Sequence, residues 1–246
     1  MNVIKLALLI FISSPIFAQA TATEIWKVAT LEWPPFVCSK CPENGAAAKA
    51  LRDVMLKEGV EVQFVFHSWT TTLNVARGSD YVGYYPAWLE EIRPTFIGSK
   101  ILFTSPVGFI EPRGKPLRWN KLADLKGKVI GTTKDYGNTE EFNRLVAEGV
   151  IQTEVVESDD TNMRKVALGR IDGALLDINN AKYFLSLSLK NISGRLNINS
   201  KILENKALYM AFNSHHSAQS ERFAHIMQTR DFQKSVDEYL KKYIRH

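Results

Sequence analysis

The sequence predicts an α/β protein of two lobes, each a mostly parallel sheet flanked by helices, with the pair joined by a two-strand hinge. Three observations carry that expectation. Short strand candidates alternate with helical patterns in two rounds. The rounds are separated by an irregular stretch, "WLEEIRPTFIGSKILFTSPVGFIEPRG", that contains broken strands and no long helix. No Pro/Gly/Ser-rich linker joins them, which leaves lobe-connecting strands to act as the hinge. Strand–helix alternation of this kind builds parallel sheets covered by helices on both faces.

The first round opens with "EIWKVATL" (24–31), a strand ended by Trp33-Pro34-Pro35-Phe36, because proline cannot continue a ladder. A helix is predicted from Gly45 to Glu58, with Ala48, Leu51, Val54 and Met55 at helical spacing and Gly59 stopping it. "VEVQFVFHS" is the next strand and "WTTTLNVARG" a short helix with Gly78 at its end. "YVGYYPA" is a third strand, which Pro86 is expected to close.

The second round restarts at "LADLKGKVIGTT". It continues with "NTEEFNRLVAEG" as helix, "TEVVES" as strand, "DDTNMRKVALGR" as helix, "IDGALLDI" as strand and "NAKYFLSLSL" as helix. Asn138 and Thr139 are capping residues, with Glu140 and Glu141 in the first turn complementing the helix dipole. "ENKALYMAFN" is a further strand, and the stretch from Ala218 to Ile244 supplies closing helices.

Export is written at the start. "MNVIKLALLIFISSPIFAQA" carries Lys5, an apolar run from Leu6 to Ile12, and Ala18-Gln19-Ala20 as a small-x-small cleavage signature. Ser13, Ser14 and Pro15 interrupt the run well short of the ~20 residues of a membrane span. Without a cysteine at the cleavage site, a lipid anchor is not expected, so the reading is a soluble periplasmic protein. The formal charge of +5 is spread along the chain apart from the terminal "KKYIRH", and no basic arm or zinc-finger spacing points to nucleic acid. With 45% hydrophobic residues the chain can fill its own core, and a monomer is expected. Cys38 and Cys41, in "CSKC", are the two cysteines; in an oxidising compartment a loop pair of this kind closes into a structural disulfide. No metal site is expected, because zinc would need two further ligands that the surroundings do not supply.

Ligands of open α/β sheets bind beyond the carboxyl ends of strands. The aromatics Trp33, Phe36, Trp69, Tyr84 and Tyr85 fall there in the first round and can enclose a ligand, although any one of them serves equally well as packing. In the second round Thr132 and Thr133 follow a strand, and Asn138-Thr139 open a helix whose free N–H groups form an anion site. Asp177 stands at the end of the buried run Ala174–Leu176. An ionised carboxylate is costly to bury unpaired, so Asp177 is either the cap of the following helix or the partner of a ligand.

Together "WPPF", the tryptophan and helix ending in "ARGSDYVG", "FTSP", "LADLKGKVIGTT" and "ALGRIDGALLD" with its aspartates five apart resemble the periplasmic solute-binding proteins of the polar amino-acid ABC importers. The resemblance implies a type II periplasmic-binding-protein fold, with residues 21–112 plus 206–246 as one lobe and 113–205 as the other. It implies capture of a small polar solute between lobes and docking on a membrane permease. It implies no cofactor and no catalysis. Asp177 would pair with the ligand ammonium, while Thr132, Thr133, Asn138, Thr139 and an arginine would hold its carboxylate. Arg93 stands close to that arginine's place, but no Ser or Thr precedes it. If Arg93 pairs instead with a glutamate, the ligand need not be an α-amino acid, and Glu90 and Glu91 favour a cation. Two rivals share the fold: a stand-alone ligand sensor, and a lyase of the cyclohexadienyl-dehydratase kind using Glu32, Glu91 or Asp177 as the acid and His67 as a base.

Overall fold

The computed structural model describes residues 24–244, so the predicted export signal lies outside the described residues. Nine strands form a ladder with a crossover at its centre. These are β1 (Glu24–Leu31), β2 (Val60–His67), β3 (Gly83–Trp88), β4 (Phe96–Gly98), β5 (Phe103–Pro112), β6 (Val129–Thr133), β7 (Gln152–Val156), β8 (Gly173–Asp177) and β9 (Leu196–Asn213). The order is β2-β1-β3-β9-β5-β8-β6-β7, with β4 pairing to β9.

A parallel trio stands at each end, β2-β1-β3 and β8-β6-β7. The pairs that involve β5 and β9 are antiparallel. These two long strands cross from one lobe to the other side by side, and register shifts at Val107/Gly108 and Gly108/Ile110 mark where they bend. The expected hinge is therefore a paired ribbon rather than a linker. The sequence reading missed the first half of β9, Leu196–Leu203, because that stretch lies partly outside any core and alternates poorly. It also ended β3 too early. The strand runs on to Trp88, and Pro86 sits where the register shifts between Tyr84 and Ala87, an irregularity that tolerates a residue without an N–H.

The helices follow the predicted order: α1 (Ala46–Lys57), α2 (Trp69–Val75), α3 (Glu140–Ala147), α4 (Asp159–Ala167), α5 (Ile178–Ser186), α6 (Ser217–Ile226) and α7 (Phe232–Tyr243). Four of their starts carry side-chain caps. Ser68, Thr139, Asp177 and Asp231 each accept a hydrogen bond from a first-turn backbone N–H. In β8 alternate residues serve different cores, as the two-residue period of a strand requires. Leu175 joins the large core, and Ala174 and Leu176 join a second one with Met163, Val166 and Ala181 beneath α4 and α5. That double covering explains the uninterrupted apolar run. Cys38 and Cys41 are joined as a disulfide with Cα atoms 5.2 Å apart. Among the described residues no helix is long and apolar enough to cross a membrane.

Candidate functional site between the lobes

The first lobe offers an aromatic wall. Just past β1 the chain turns back on itself: Trp33 N–H donates to the Val37 carbonyl at 2.8 Å, and Phe36 N–H to the Trp33 carbonyl at 3.1 Å. This turn lays the Trp33 ring on Phe36, centroids 4.6 Å apart, and Phe36 in turn packs on Phe103 at 5.4 Å. Trp88 meets Trp33 edge-on at 6.0 Å. Tyr136, from the loop after β6, inserts against this wall. Its ring is edge-on to Trp88 at 5.5 Å and to Trp69 at 6.5 Å. The indole N–H groups of Trp33 and Trp88 are buried without a hydrogen-bond partner.

The second lobe offers carboxylates. Asp177 is 1% exposed. Its Oδ1 accepts from the Asn180 backbone N–H at 2.9 Å, so it caps α5, but its Oδ2 is buried with no partner. Burial pushes its pKa up to about 7; the nearby Ser105 hydroxyl and the N–H groups of Asn180 and Asn179 offset this only in part, and Asp159 adds to it. Asp159 opens α4 and accepts from the Thr133 hydroxyl at 2.7 Å. Burial raises it to about 6, with Thr133 opposing. Glu91 belongs to the first lobe but reaches the same region, where burial raises it to about 7. It accepts from Trp88 N–H at 2.8 Å and, across the gap, from Gly137 N–H at 3.1 Å. All three carboxylates act on Tyr136, whose hydroxyl is pushed well up by burial and then by these charges.

Contacts between lobes describe a closed arrangement. Trp69 Nε1 donates to the Asp135 carbonyl at 3.1 Å, Thr70 to the Asp135 carboxylate at 2.5 Å, and Asn180 Nδ2 to the Pro34 carbonyl at 2.5 Å. Lys206, from β9, is buried; its Nζ lies 3.0 Å from Glu90, 3.1 Å from the Gly137 carbonyl and 4.6 Å from the centre of the Trp88 ring. A Cβ at Gly137 would stand 3.0 Å from that of Glu90, so a side chain there would force its neighbour to shift. Between the lobes lies a cavity of about 670 Å³ whose walls include Glu32, Trp69, Tyr136, Asp159, Asn180 and Tyr183. Tyr136 separates it from two small pockets of about 20 and 10 Å³.

Of the residues singled out in the sequence, Trp33, Trp69, Thr133, Asn138, Thr139 and Asp177 lie at or directly beside the gap. Phe36 and Tyr84 are fully buried behind its wall; Tyr84 donates to the Glu91 carbonyl at 2.8 Å and receives the Arg93 N–H at 3.1 Å. Tyr85 is a correction. Alternation along β3 turns it to the opposite face, where its hydroxyl donates to the Ala47 carbonyl of α1 at 3.2 Å and its ring packs near Phe64. Thr132 is buried. Arg93 pairs with neither neighbouring glutamate: its guanidinium lies 4.0 Å from Asp135 of the other lobe. The reading missed Asp159, Tyr136 and Lys206 as site residues. Asp159 was legible by the signal that marked Asp177, an acid opening a helix just after a strand. The other two owe their place to tertiary contact alone.

No family model matches the chain, and no curated protein matches it. Solved structures do. An ancestral arginine-binding protein bound to arginine is 16% identical, covering 90% of this chain and 99% of that one, with a TM-score of 0.74. The periplasmic VFT2 domain of Bordetella pertussis BvgS is 15% identical over 87% of this chain and 93% of its own, with a TM-score of 0.72. The amino-acid ABC transporter substrate-binding protein AbpA of Streptococcus pneumoniae, bound to L-arginine, is 15% identical over 90% and 97%, with a TM-score of 0.71. The chain has the two-lobed fold of the type II periplasmic binding proteins. At these identities the likeness defines the fold, whose solved examples are mainly binding proteins.

Proposed function

We propose that this protein is the periplasmic substrate-binding component of an ABC importer, which captures a small polar solute, an amino acid or related compound, between its lobes. Residues 21–112 plus 206–246 form one lobe in this reading and 113–205 the other, with β5 and β9 as the hinge. The observation that carries it is the unpartnered, buried oxygen of Asp177, close enough to the gap-lining Tyr136 for its charge to act on that hydroxyl. Leaving such an acceptor unsatisfied is costly unless a partner arrives. The capture of arginine by two proteins of the same fold supports the reading. Closure is then a population shift: ligand contacts spanning both lobes favour the closed form by their differential affinity. The closed monomer would dock on its permease.

Thermal melting against amino acids, amines and small carboxylates tests the proposal. A ligand at about 100 times its Kd adds about 2.7 kcal/mol of stability, which for this size raises the midpoint by about 5–10 °C. The absence of any shift across the panel overturns it. The three acids held near 6 to 7 lie in the range suited to general acid–base work, so the lyase reading keeps a specific warrant. Turnover of any panel member would establish it in place of capture.

A further inference from the structure

The places where a ligand carboxylate would be held are occupied by the chain's own groups. Three second-lobe helices begin at or near the gap, and each start is already served by an acid. Asp177 caps α5, Asp159 and Asp160 stand in the first turn of α4, and Glu140 and Glu141 in that of α3 behind its Thr139 cap. Thr133, expected to receive a ligand anion, donates to Asp159 instead. Arg93, the expected guanidinium, faces Asp135 across the gap and is absent from the walls of the 670 Å³ cavity. Lys206 is occupied by Glu90 and the Gly137 carbonyl.

What stands buried and uncompensated by charge is negative; Lys40, which also lines the cavity, is exposed. Asp159, 4% exposed, lines the cavity, and Asp177, 1% exposed, lies behind Tyr136 with Oδ2 unpartnered. No cation is among the groups acting on either acid. The other cavity acids differ in this respect: Asp160 and Glu157 have Arg164 at 3.5 Å and Lys134 at 3.3 Å. Glu32, on the first-lobe side of the same cavity, is bound only by the Ser39 N–H. Trp69 and Tyr136 present ring surface between these acids, and aromatic faces attract cations and exclude water from them.

We propose that the solute is a small organic cation without a carboxylate, a primary amine or guanidinium compound held in the cavity by Asp159 against Trp69 and Tyr136, with the buried charge of Asp177 behind Tyr136 adding to the attraction. The inference rests on the capture reading and narrows it. A carboxylate brought to the buried side of this cleft would meet the like charge of Asp159 and Asp177, which is how a site rejects an otherwise similar molecule.

The test compares matched pairs by titration calorimetry on the purified protein: agmatine against L-arginine, and cadaverine against L-lysine. In at least one pair the amine is expected to bind roughly tenfold or more tightly than its amino acid. Asp159→Asn and Asp177→Asn, which keep the size of each side chain, are each expected to weaken that amine roughly 30-fold. An amino acid that binds as tightly as its amine, or amine binding that survives both substitutions, overturns the proposal. If neither amine binds while another carboxylate or neutral solute does, the cation assignment is wrong and capture stands. Silence across amines, amino acids and carboxylates alike defeats the capture reading itself.

Discussion

The two walls of the interlobe gap are built on opposite principles. The first-lobe wall is tryptophan laid on phenylalanine: Trp33 on Phe36, Phe36 on Phe103, with Trp88 edge-on to Trp33. These contacts release apolar surface from water and are favourable with or without a ligand. The second-lobe wall is Asp159 and, behind Tyr136, Asp177, both buried at the starts of helices and both with their pKa raised by that burial. Those positions cost stability in the protein alone. A surface whose packing stabilises the fold faces one whose charge destabilises it, and a cationic visitor relieves the second. The same division separates the expected aromatic contacts from one another, since Phe36, Tyr84 and Tyr85 are all fully buried packing.

This contrast can be broken or sharpened by four measurements. Trp33→Ala should have the largest effect, a loss of about 3–5 kcal/mol in denaturant unfolding, because it empties a site 4% exposed beneath Trp88. Asp177→Asn should act on binding instead. Asparagine can still cap α5, so unfolding stability should hold or rise, while affinity for a cationic ligand falls by about 2–5 kcal/mol. If Asp177→Asn destabilises the fold as strongly as Trp33→Ala, the acid is structural and the comparison collapses.

The pH response separates the walls again. Asp177 and Glu91 are held near 7 and Asp159 near 6, against ordinary carboxylate values near 4 in the unfolded chain. Between those limits the folded state binds more protons than the unfolded one, so stability falls as pH rises through the window from about 4 to about 7. Thermal midpoints should therefore be higher at about pH 5 than at about pH 8, by about 2–4 °C for each kcal/mol involved. Asp177→Asn should flatten that slope. Cation affinity should move the opposite way and strengthen as pH rises, since the carboxylate form is the one that binds. The smallest effect belongs to Arg93→Ala. Its guanidinium is well exposed and 4.0 Å from Asp135, so stability should change by less than about 1 kcal/mol. A loss of binding comparable to that of Asp177→Asn would reinstate it as a ligand contact.

Several of these residues were visible from spacing alone. Asp177 stood out because an acid closed an apolar run, and the strand did prove buried on both faces. Asp159 carried a matching signature, an acid at the start of a helix just after a strand, and was passed over. Tyr136 had no such mark. It lies in a loop beside Asp135, whose φ of +62° turns the chain toward the first lobe, and a lone tyrosine in a loop predicts nothing about where its ring goes. Lys206 reads as one more charge on a strand, and it is the pairing of β3 with β9, Trp88 opposite Leu208, that brings it to the Trp88 ring.

By itself the sequence determined the alternation of strands and helices, the caps that start the helices, the disulfide loop and the positions that end strands. Each of these follows from interactions within a few residues, whose period and chemistry are written locally. The tertiary structure alone decided who partners whom: Thr133 with Asp159, Arg93 with Asp135, Lys206 with Glu90, and Asp177 Oδ2 with no one. Those choices depend on how two lobes meet across a strand pair, and contacts between residues so far apart in the chain leave no periodic trace in either segment.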